Sequence, residues 1–167
     1  MQIPNALLLA VAFAVSSCAG DNPENVPLYG DWEMTTKLGS LTINGRVVPP
    51  ENMPRQLAAL EGKENICGEP MFIDRGWQEQ DLNRQVSGDC TVERYDITPT
   101  RISGAGRCEN VDAQADYSPH FTVDITQAEQ SYRMNLTLTG DATIVGQPGR
   151  QVIRISAVQE GVRRGDC

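Results

Sequence analysis

The sequence predicts a mainly β protein, in which an antiparallel β-meander forms a curved sheet or a small barrel, with one or two short helices inserted between residues 50 and 86. Short segments of alternating apolar and polar residues follow one another from Cys90 onward, and turn residues separate them at intervals of about ten to fifteen residues. Helix signals are confined to the stretch between Pro50 and Val86. A sheet of about five to seven such strands tends to curl, which favours a half-barrel or barrel over a flat layer.

The domain opens with a segment typical of a half-buried strand. Trp32, Met34 and Thr36 alternate with charged or polar neighbours. Gly39-Ser40 then predicts a turn, and residues 41–48 predict a second short strand. Asn44-Gly45 inside that stretch is a strong turn signal, so a tight hairpin is the alternative.

Two helices are expected in the middle of the chain. Residues 54–61 begin with a proline in the first turn and are followed by Gly62, which is the usual arrangement at helix ends. Leu57 and Leu60 give this helix a small apolar face. A second helix is predicted from Asp74 to Gln85, with Asp74 as its N-cap.

The remaining chain predicts five strands. Each shows the period-two alternation of a sheet with one buried face. Their expected bounds are Cys90–Ile97, Arg101–Cys108, His120–Thr126, Tyr132–Thr139 and Val152–Val158.

The N-terminus has the pattern of a bacterial lipoprotein signal peptide. An uncharged apolar run over residues 3–15 is too short to span a bilayer, and Val15-Ser16-Ser17-Cys18 follows it directly. An aliphatic residue, two small residues and a cysteine are what lipidation of Cys18 requires. The segment before the run lacks Lys and Arg, so an ordinary secretory signal and a retained helix are the alternatives. Ala19 is typical of sorting to the outer membrane.

This pattern divides the chain into three parts. Residues 1–17 are the expected signal peptide, residues 18–29 the lipidated N-terminus and a polar tether, and residues 30–167 a single β domain. The protein is expected in the cell envelope, anchored by its lipid on the periplasmic side, with the outer membrane as the predicted membrane.

The charge of the chain restricts its partners. A net charge of −8 excludes a nucleic-acid-binding surface of the usual basic kind and disfavours electrostatic docking on anionic lipids. Membrane contact is therefore expected through the N-terminal lipid alone.

Four further cysteines predict two disulfides in an exported domain: Cys67, Cys90, Cys108 and Cys167. The pairing Cys67–Cys90 with Cys108–Cys167 is slightly favoured, because it would staple the helical insert to the next strand. The alternative is a cross-strand Cys90–Cys108 bond with Cys67–Cys167. No two of these cysteines have the close spacing of a zinc site, so neither a metal nor a cofactor is expected.

Few residues suggest chemistry. His120 is the only imidazole, and Asp116 or Asp124 would have to serve as its partner in a hydrolase-like site. A surface histidine is the simpler interpretation. A curled sheet could instead enclose an apolar pocket. Its candidate lining residues are Trp32, Trp77, Tyr95, Phe121 and Tyr132.

Three segments occur in an order that resembles a known family. They are Gly30-Asp31-Trp32-Glu33, Cys67-Gly68-Glu69-Pro70 and the terminal Arg164-Gly165-Asp166-Cys167, with the pair Cys90 and Cys108 between the last two. This order resembles the small exported proteobacterial proteins grouped as domain of unknown function 3617, which are often lipoproteins. The resemblance implies export and four structural cysteines, and it implies no catalytic residue.

The sequence therefore favours a non-enzymatic envelope lipoprotein that binds a small apolar ligand or an envelope protein partner. An interaction-only accessory protein with a filled core is the first alternative. A hydrolase that uses His120 and a carboxylate is the second.

Overall fold

The computed structural model of the 167-residue chain describes residues 26–70, 89–109 and 115–167. These residues form one antiparallel sheet of eight strands with a single short helix, as expected of a mainly β fold. The strands are β1 (Gly30–Ile43), β2 (Arg46–Val47), β3 (Gly62–Gly68), β4 (Asp89–Thr98), β5 (Arg101–Glu109), β6 (His120–Ala128), β7 (Ser131–Thr143) and β8 (Arg150–Gly165).

The sheet is a meander joined to the first strand. Strands β4 to β8 follow one another in space, and β1 lies next to β8 in the order β2-β1-β8-β7-β6-β5-β4. The other edge of β1 is shared by two strands: β3 pairs with residues 30–36 and β2 with residues 42–43. The described strands form a sheet that does not close into a barrel, so of the two predicted forms the curved sheet is the correct one.

The sheet has an apolar face, here called the inner face, and a polar outer face. Trp32 and Met34 on β1 point to the inner face and are at most 1% exposed. Besides this single layer, the described residues contain only a four-residue α-helix and one 3₁₀ turn. We infer that the sheet buries its inner face largely by coiling around it, as twisted sheets of this size do.

The outer face carries ion pairs between neighbouring strands. Glu33 on β1 accepts hydrogen bonds from Arg164 on β8 at 2.8 Å and from Lys63 on β3 at 3.2 Å. These two partners, Arg164 first, hold the pKa of the Glu33 carboxyl below its usual range. Because the pairs are exposed, they contribute more to strand register than to stability.

The hairpin predicted at Asn44-Gly45 is confirmed. Both residues have positive φ, 50° and 77°, which is the conformation that a two-residue turn of type I′ requires. The Asn44 side chain accepts a hydrogen bond from the Val152 backbone amide at 2.9 Å and thereby ties the turn to β8.

The turn predicted at Gly39-Ser40 is wrong. Strand β1 runs through this dipeptide, and the register against β8 shifts between Leu38 and Ser40. A β-bulge accommodates the extra residue while the long partner strand continues. Gly39 thus marks an irregularity inside a strand rather than its end.

The first expected helix is present but short. Helix α1 covers Arg55–Ala58, follows the 3₁₀ turn Pro50–Asn52, and has no side-chain cap at its N-terminus. Leu57 is buried, as its place on the apolar face predicted. The second expected helix, from Asp74 to Gln85, lies outside the described residues.

Two strand segments were not predicted. β3 has the sequence GKENICG and is mostly exposed, so it lacks the alternation that would have indicated a strand. β8 extends beyond Val158 to Gly165, where it pairs with β1 through the charged stretch near Arg163. In both places, pairing with β1 stabilises a sequence that has little strand character of its own.

The cysteines form the pairs Cys67–Cys167 and Cys90–Cys108. The favoured pairing, Cys67–Cys90 with Cys108–Cys167, is therefore wrong, and the cross-strand alternative is correct. The register explains the outcome: Cys90 and Cys108 lie directly opposite each other on β4 and β5. Cys67 lies on β3 and Cys167 follows β8, and these two strands flank β1.

The two disulfides are expected to differ in their contribution to stability. They close loops with sequence separations of 100 and 18 residues. Loop-closure entropy then predicts a loss of about 5 kcal/mol for the double variant Cys67→Ser/Cys167→Ser and of about 3 kcal/mol for Cys90→Ser/Cys108→Ser. Urea unfolding of both variants measures the difference, and a larger loss for the Cys90–Cys108 bond would contradict the entropic explanation.

Candidate functional site: the inner face of the sheet

Among the described residues, most buried apolar side chains of the inner face belong to two clusters. The lower cluster comprises Trp32, Met34, Ile102, Ile125, Tyr132 and Met134. The upper cluster comprises Cys90, Cys108, Tyr117, Phe121 and Ala142. The two clusters lie on either side of a partly exposed apolar surface.

In the lower cluster two aromatic rings meet across β8. The centroids of Trp32 on β1 and Tyr132 on β7 are 6.0 Å apart. Gly161 on β8 lies opposite Tyr132 on one side and Met34 on the other, and a Cβ there would lie 2.0 Å from the Tyr132 Cε1 atom. The missing side chain is therefore what lets the Tyr132 ring cross the strand.

A hydrogen-bonded chain of side chains borders this cluster. The Tyr132 hydroxyl donates to Gln159 Oε1 at 2.9 Å, and Gln159 Nε2 donates to Thr36 Oγ1 at 3.1 Å. Burial, and to a smaller degree Glu64, raises the pKa of Tyr132. Tyr132 therefore stays a neutral donor, and the polar atoms that join Tyr132 to Gln159 are satisfied.

In the upper cluster Tyr117 is buried. The residue is 6% exposed, and its oxygen makes no hydrogen bond with any residue that the structure describes. The ring lies against β7, where a Cβ on Gly140 would be 3.2 Å from Tyr117 Cε2. Burial raises the pKa of the Tyr117 hydroxyl to about 12, because the apolar surroundings disfavour the phenolate.

Between the clusters lies a partly exposed apolar surface, which we call the inner patch. Strand register makes it continuous, because Leu136 on β7 is opposite Ala157 on β8, which is opposite Leu38 on β1. Its members share apolar side chains and intermediate exposure. They are Leu38, Ile43, Val123, Leu136, Leu138, Ile153, Ile155 and Ala157.

One row of this patch crosses five strands. From Leu38, Ala157 and Leu136 it continues through Val123 on β6 to Gly104 on β5. At the spacing of neighbouring strands the row is about 19 Å long. Because Ala157 has a small side chain and Gly104 has none, the row projects less from the sheet than the clusters on either side.

The row ends on β1 at a gap between the two edge strands. β3 pairs with β1 up to Thr36, and β2 pairs with it from Thr42. In the gap the Leu38 amide donates to Glu61 Oε1 at 3.0 Å rather than to a strand. A carboxylate thus replaces the missing ladder bond at the open edge of the inner patch.

The predicted pocket residues are distributed over the core. Trp32 and Tyr132 are brought together in the lower cluster, and Phe121 belongs to the upper one. Tyr95 is opposite Gly104 in the β4–β5 register, and its side chain is outside the described set. Trp77 also lies outside the described residues.

The aliphatic members of the inner patch were not singled out as candidate site residues. Their alternation on β7 and β8 predicted strand positions, and nothing in it distinguished a partly exposed Leu136 from a buried Met134. What distinguishes the partly exposed row is the small size of Ala157 and Gly104. These two residues lie in one row only after the strands pair.

His120 is exposed at the start of β6, opposite Arg107 and Thr139. Asp124 forms an ion pair with Arg101, and Asp116 with Arg150. Within the described residues, both carboxylates considered as partners for His120 are thus bound to arginines instead.

The described residues also include no helix that is long and apolar enough to cross a membrane. What the inner patch offers chemically is an uncharged apolar strip bordered by the Tyr117 ring, whose hydroxyl has no hydrogen-bond partner among the described residues. Such a surface suits binding of an apolar molecule.

A comparison with protein-family models identifies the family. The model described as "Protein of unknown function (DUF3617)" matches residues 25–167, so the chain belongs to this family. The resemblance seen in the order of the sequence motifs is thereby confirmed. Neither the curated proteins nor the solved structures gave a match.

A variant of Gly161 tests the contact between β8 and Tyr132. Gly161→Ala is expected to destabilise the protein by about 1–3 kcal/mol, because the new methyl group displaces the Tyr132 ring from the lower cluster. Gly62→Ala is the matched control, since a Cβ at this strand glycine meets no atom within 4 Å. Urea unfolding compares the two, and equal stabilities would contradict the close approach.

The burial of Tyr117 predicts a pH dependence of stability. Its pKa is about 12 in the folded protein and about 10 in an unfolded chain. Between these values the unfolded state loses a proton that the folded state keeps, so the free energy of unfolding falls as pH rises, by about 2–3 kcal/mol. Urea unfolding at pH 9 and at pH 12 should show a smaller fall in the free energy of unfolding for Tyr117→Phe than for the wild type. An identical fall in both proteins would rule out a buried Tyr117.

Proposed function

We propose that this protein is an exported, lipid-anchored protein of the bacterial envelope, without enzymatic activity, that holds a small apolar ligand on the inner patch. The observation that carries the proposal is the patch itself, a row of partly exposed apolar residues between two filled clusters. Soluble domains rarely leave a continuous apolar surface of this kind without a use for it.

The expected location rests on the sequence of the N-terminus and on the disulfides. The apolar run ending in Val15-Ser16-Ser17-Cys18 supports lipidation of Cys18. The bonds Cys67–Cys167 and Cys90–Cys108 support an oxidising compartment, because structural disulfides are rare in the cytosol of most organisms. Anchoring on the periplasmic side of the outer membrane is consistent with Ala19.

The energetics favour a ligand of modest size. Each Å² of apolar surface removed from water contributes about 25 cal/mol. A ligand that covers about 300 Å² in total gains roughly 7 kcal/mol, and this gain has to exceed the entropy lost on association. Leu136 and Ala157 contribute to this gain through the part of their surface that is still exposed.

An interaction-only protein is the second candidate. The filled lower and upper clusters favour it, because much of the inner face needs no ligand to be complete. An interaction-only function predicts that the partner is an envelope protein and that no small molecule binds to the patch. A hydrolase based on His120 has less support, since Arg101 and Arg150 bind the two candidate carboxylates.

Mass spectrometry of the exported protein distinguishes these candidates. The full-length chain and its Cys18→Ser variant would be expressed with the native N-terminus and measured under native and then denaturing conditions. We expect a lipid-modified wild type, an unlipidated Cys18→Ser variant, two intact disulfides in both, and an apolar molecule released on denaturation.

The control is Ala157→Phe, which places a ring in the central row. It should retain both disulfides and lose the released molecule. If wild type and Ala157→Phe release the same amount, the molecule is bound elsewhere. If neither releases any, the interaction-only candidate replaces the ligand carrier.

A further inference from the structure

Tyr117 carries a polar group that the fold leaves unused. The residue is only 6% exposed, and within residues 26–70, 89–109 and 115–167 its hydroxyl has no hydrogen-bond partner. An unsatisfied buried hydroxyl costs about 1–3 kcal/mol. Folding alone gives no reason to prefer this tyrosine to a phenylalanine, which would pack without that cost.

The ring that carries this hydroxyl borders the inner patch. The Tyr117 ring lies against Gly140, whose neighbours across the sheet are Ile153 on β8 and then Ile43 on β1. Leu136, Leu138 and Ile153 of the patch pack against the cluster that contains Tyr117. A molecule on the patch therefore lies beside the cluster that contains the Tyr117 ring.

We propose that the ligand of the inner patch is an uncharged single-chain lipid whose ester or hydroxyl oxygen accepts a hydrogen bond from the Tyr117 hydroxyl. The inference rests on the proposed ligand-binding function and names the class of ligand. Two features of the patch support it, namely its charge and its length.

The patch offers no counter-charge. None of its members is ionisable. Arg150 lies near Tyr117, but its guanidinium already binds Asp116 and the Asp141 carbonyl oxygen. The raised pKa of Tyr117 agrees with these surroundings, which disfavour an anion. A neutral ester or alcohol is therefore preferred to a fatty-acid carboxylate.

The length of the patch fits one extended chain. Its central row runs about 19 Å across five strands. One leaflet of a bilayer, half of a hydrocarbon core about 30 Å thick, holds acyl chains of about 15 Å. A single acyl chain can therefore lie along the row from Leu38 to Gly104.

Competition binding tests the proposal on the full-length Cys18→Ser variant. 1-Monomyristin (a neutral ester) and myristic acid at pH 8 (a carboxylate with the same chain) would each displace the fluorescent probe N-phenyl-1-naphthylamine. We expect monomyristin to bind more tightly than myristate. Adding Tyr117→Phe should weaken monomyristin binding about 2- to 10-fold, which corresponds to one net hydrogen bond, and leave the affinity of the probe unchanged.

The stability of Tyr117→Phe provides an independent readout. Removal of an unpaired hydroxyl should leave the urea midpoint at pH 7 unchanged or raise it, whereas loss of a structural hydrogen bond would lower it. Equal monomyristin affinity with and without Tyr117→Phe, tighter binding of myristate, or a lowered midpoint would each overturn the assignment of Tyr117.

The two proposals fail differently. If the probe binds and Ala157→Phe abolishes its binding, the inner patch is a ligand site even where Tyr117→Phe has no effect, and only the ligand class is wrong. If neither the probe nor monomyristin binds, the proposed function is wrong and the assignment of Tyr117 fails with it.

Discussion

The pairing of β1 with β8 is the contact on which the rest of the sheet depends. It joins the first described strand to the last over nearly their whole lengths and bridges the bulge near Gly39. Strands β2 and β3 reach the sheet only through β1, while β4 to β7 reach it only through β8. Apolar residues on the inner face and ion pairs such as Glu33–Arg164 on the outer face hold the two parts in one register.

Local sequence signals predicted the parts of the fold in which neighbouring strands are joined by short turns. The alternation in β4 to β7 and the Asn44-Gly45 turn indicated those elements correctly, because both reflect period-two burial and φ preferences. β3 and the end of β8 were not predicted, because their strand conformation depends on pairing with β1, which is distant in sequence. The disulfide pairing was misjudged for the same reason: it follows from register, which spacing along the chain does not determine.

The candidate site shows a similar division. Aromatic residues were predicted to line a pocket. Trp32 and Tyr132 instead pack near each other, with the Tyr132 ring against Gly161, and fill the core. The partly exposed surface is instead aliphatic, and it exists because Ala157 and Gly104 fall in one row when four strand pairs align. No sequence pattern indicated that the Tyr117 hydroxyl would be buried with no hydrogen-bond partner in the described part of the chain. Position in the assembled sheet, and not residue type, therefore defines this site.

The placement of the disulfides imposes an order on oxidative folding. Cys90 and Cys108 are brought together by the closure of one hairpin, an event of microseconds that needs no other strand. Cys67 and Cys167 meet only when β3 and β8 have both docked on β1, which requires contacts across 100 residues. A one-disulfide intermediate with a closed β4–β5 hairpin should therefore precede the native protein, and in it Cys67 stays a free thiol open to capture by another chain.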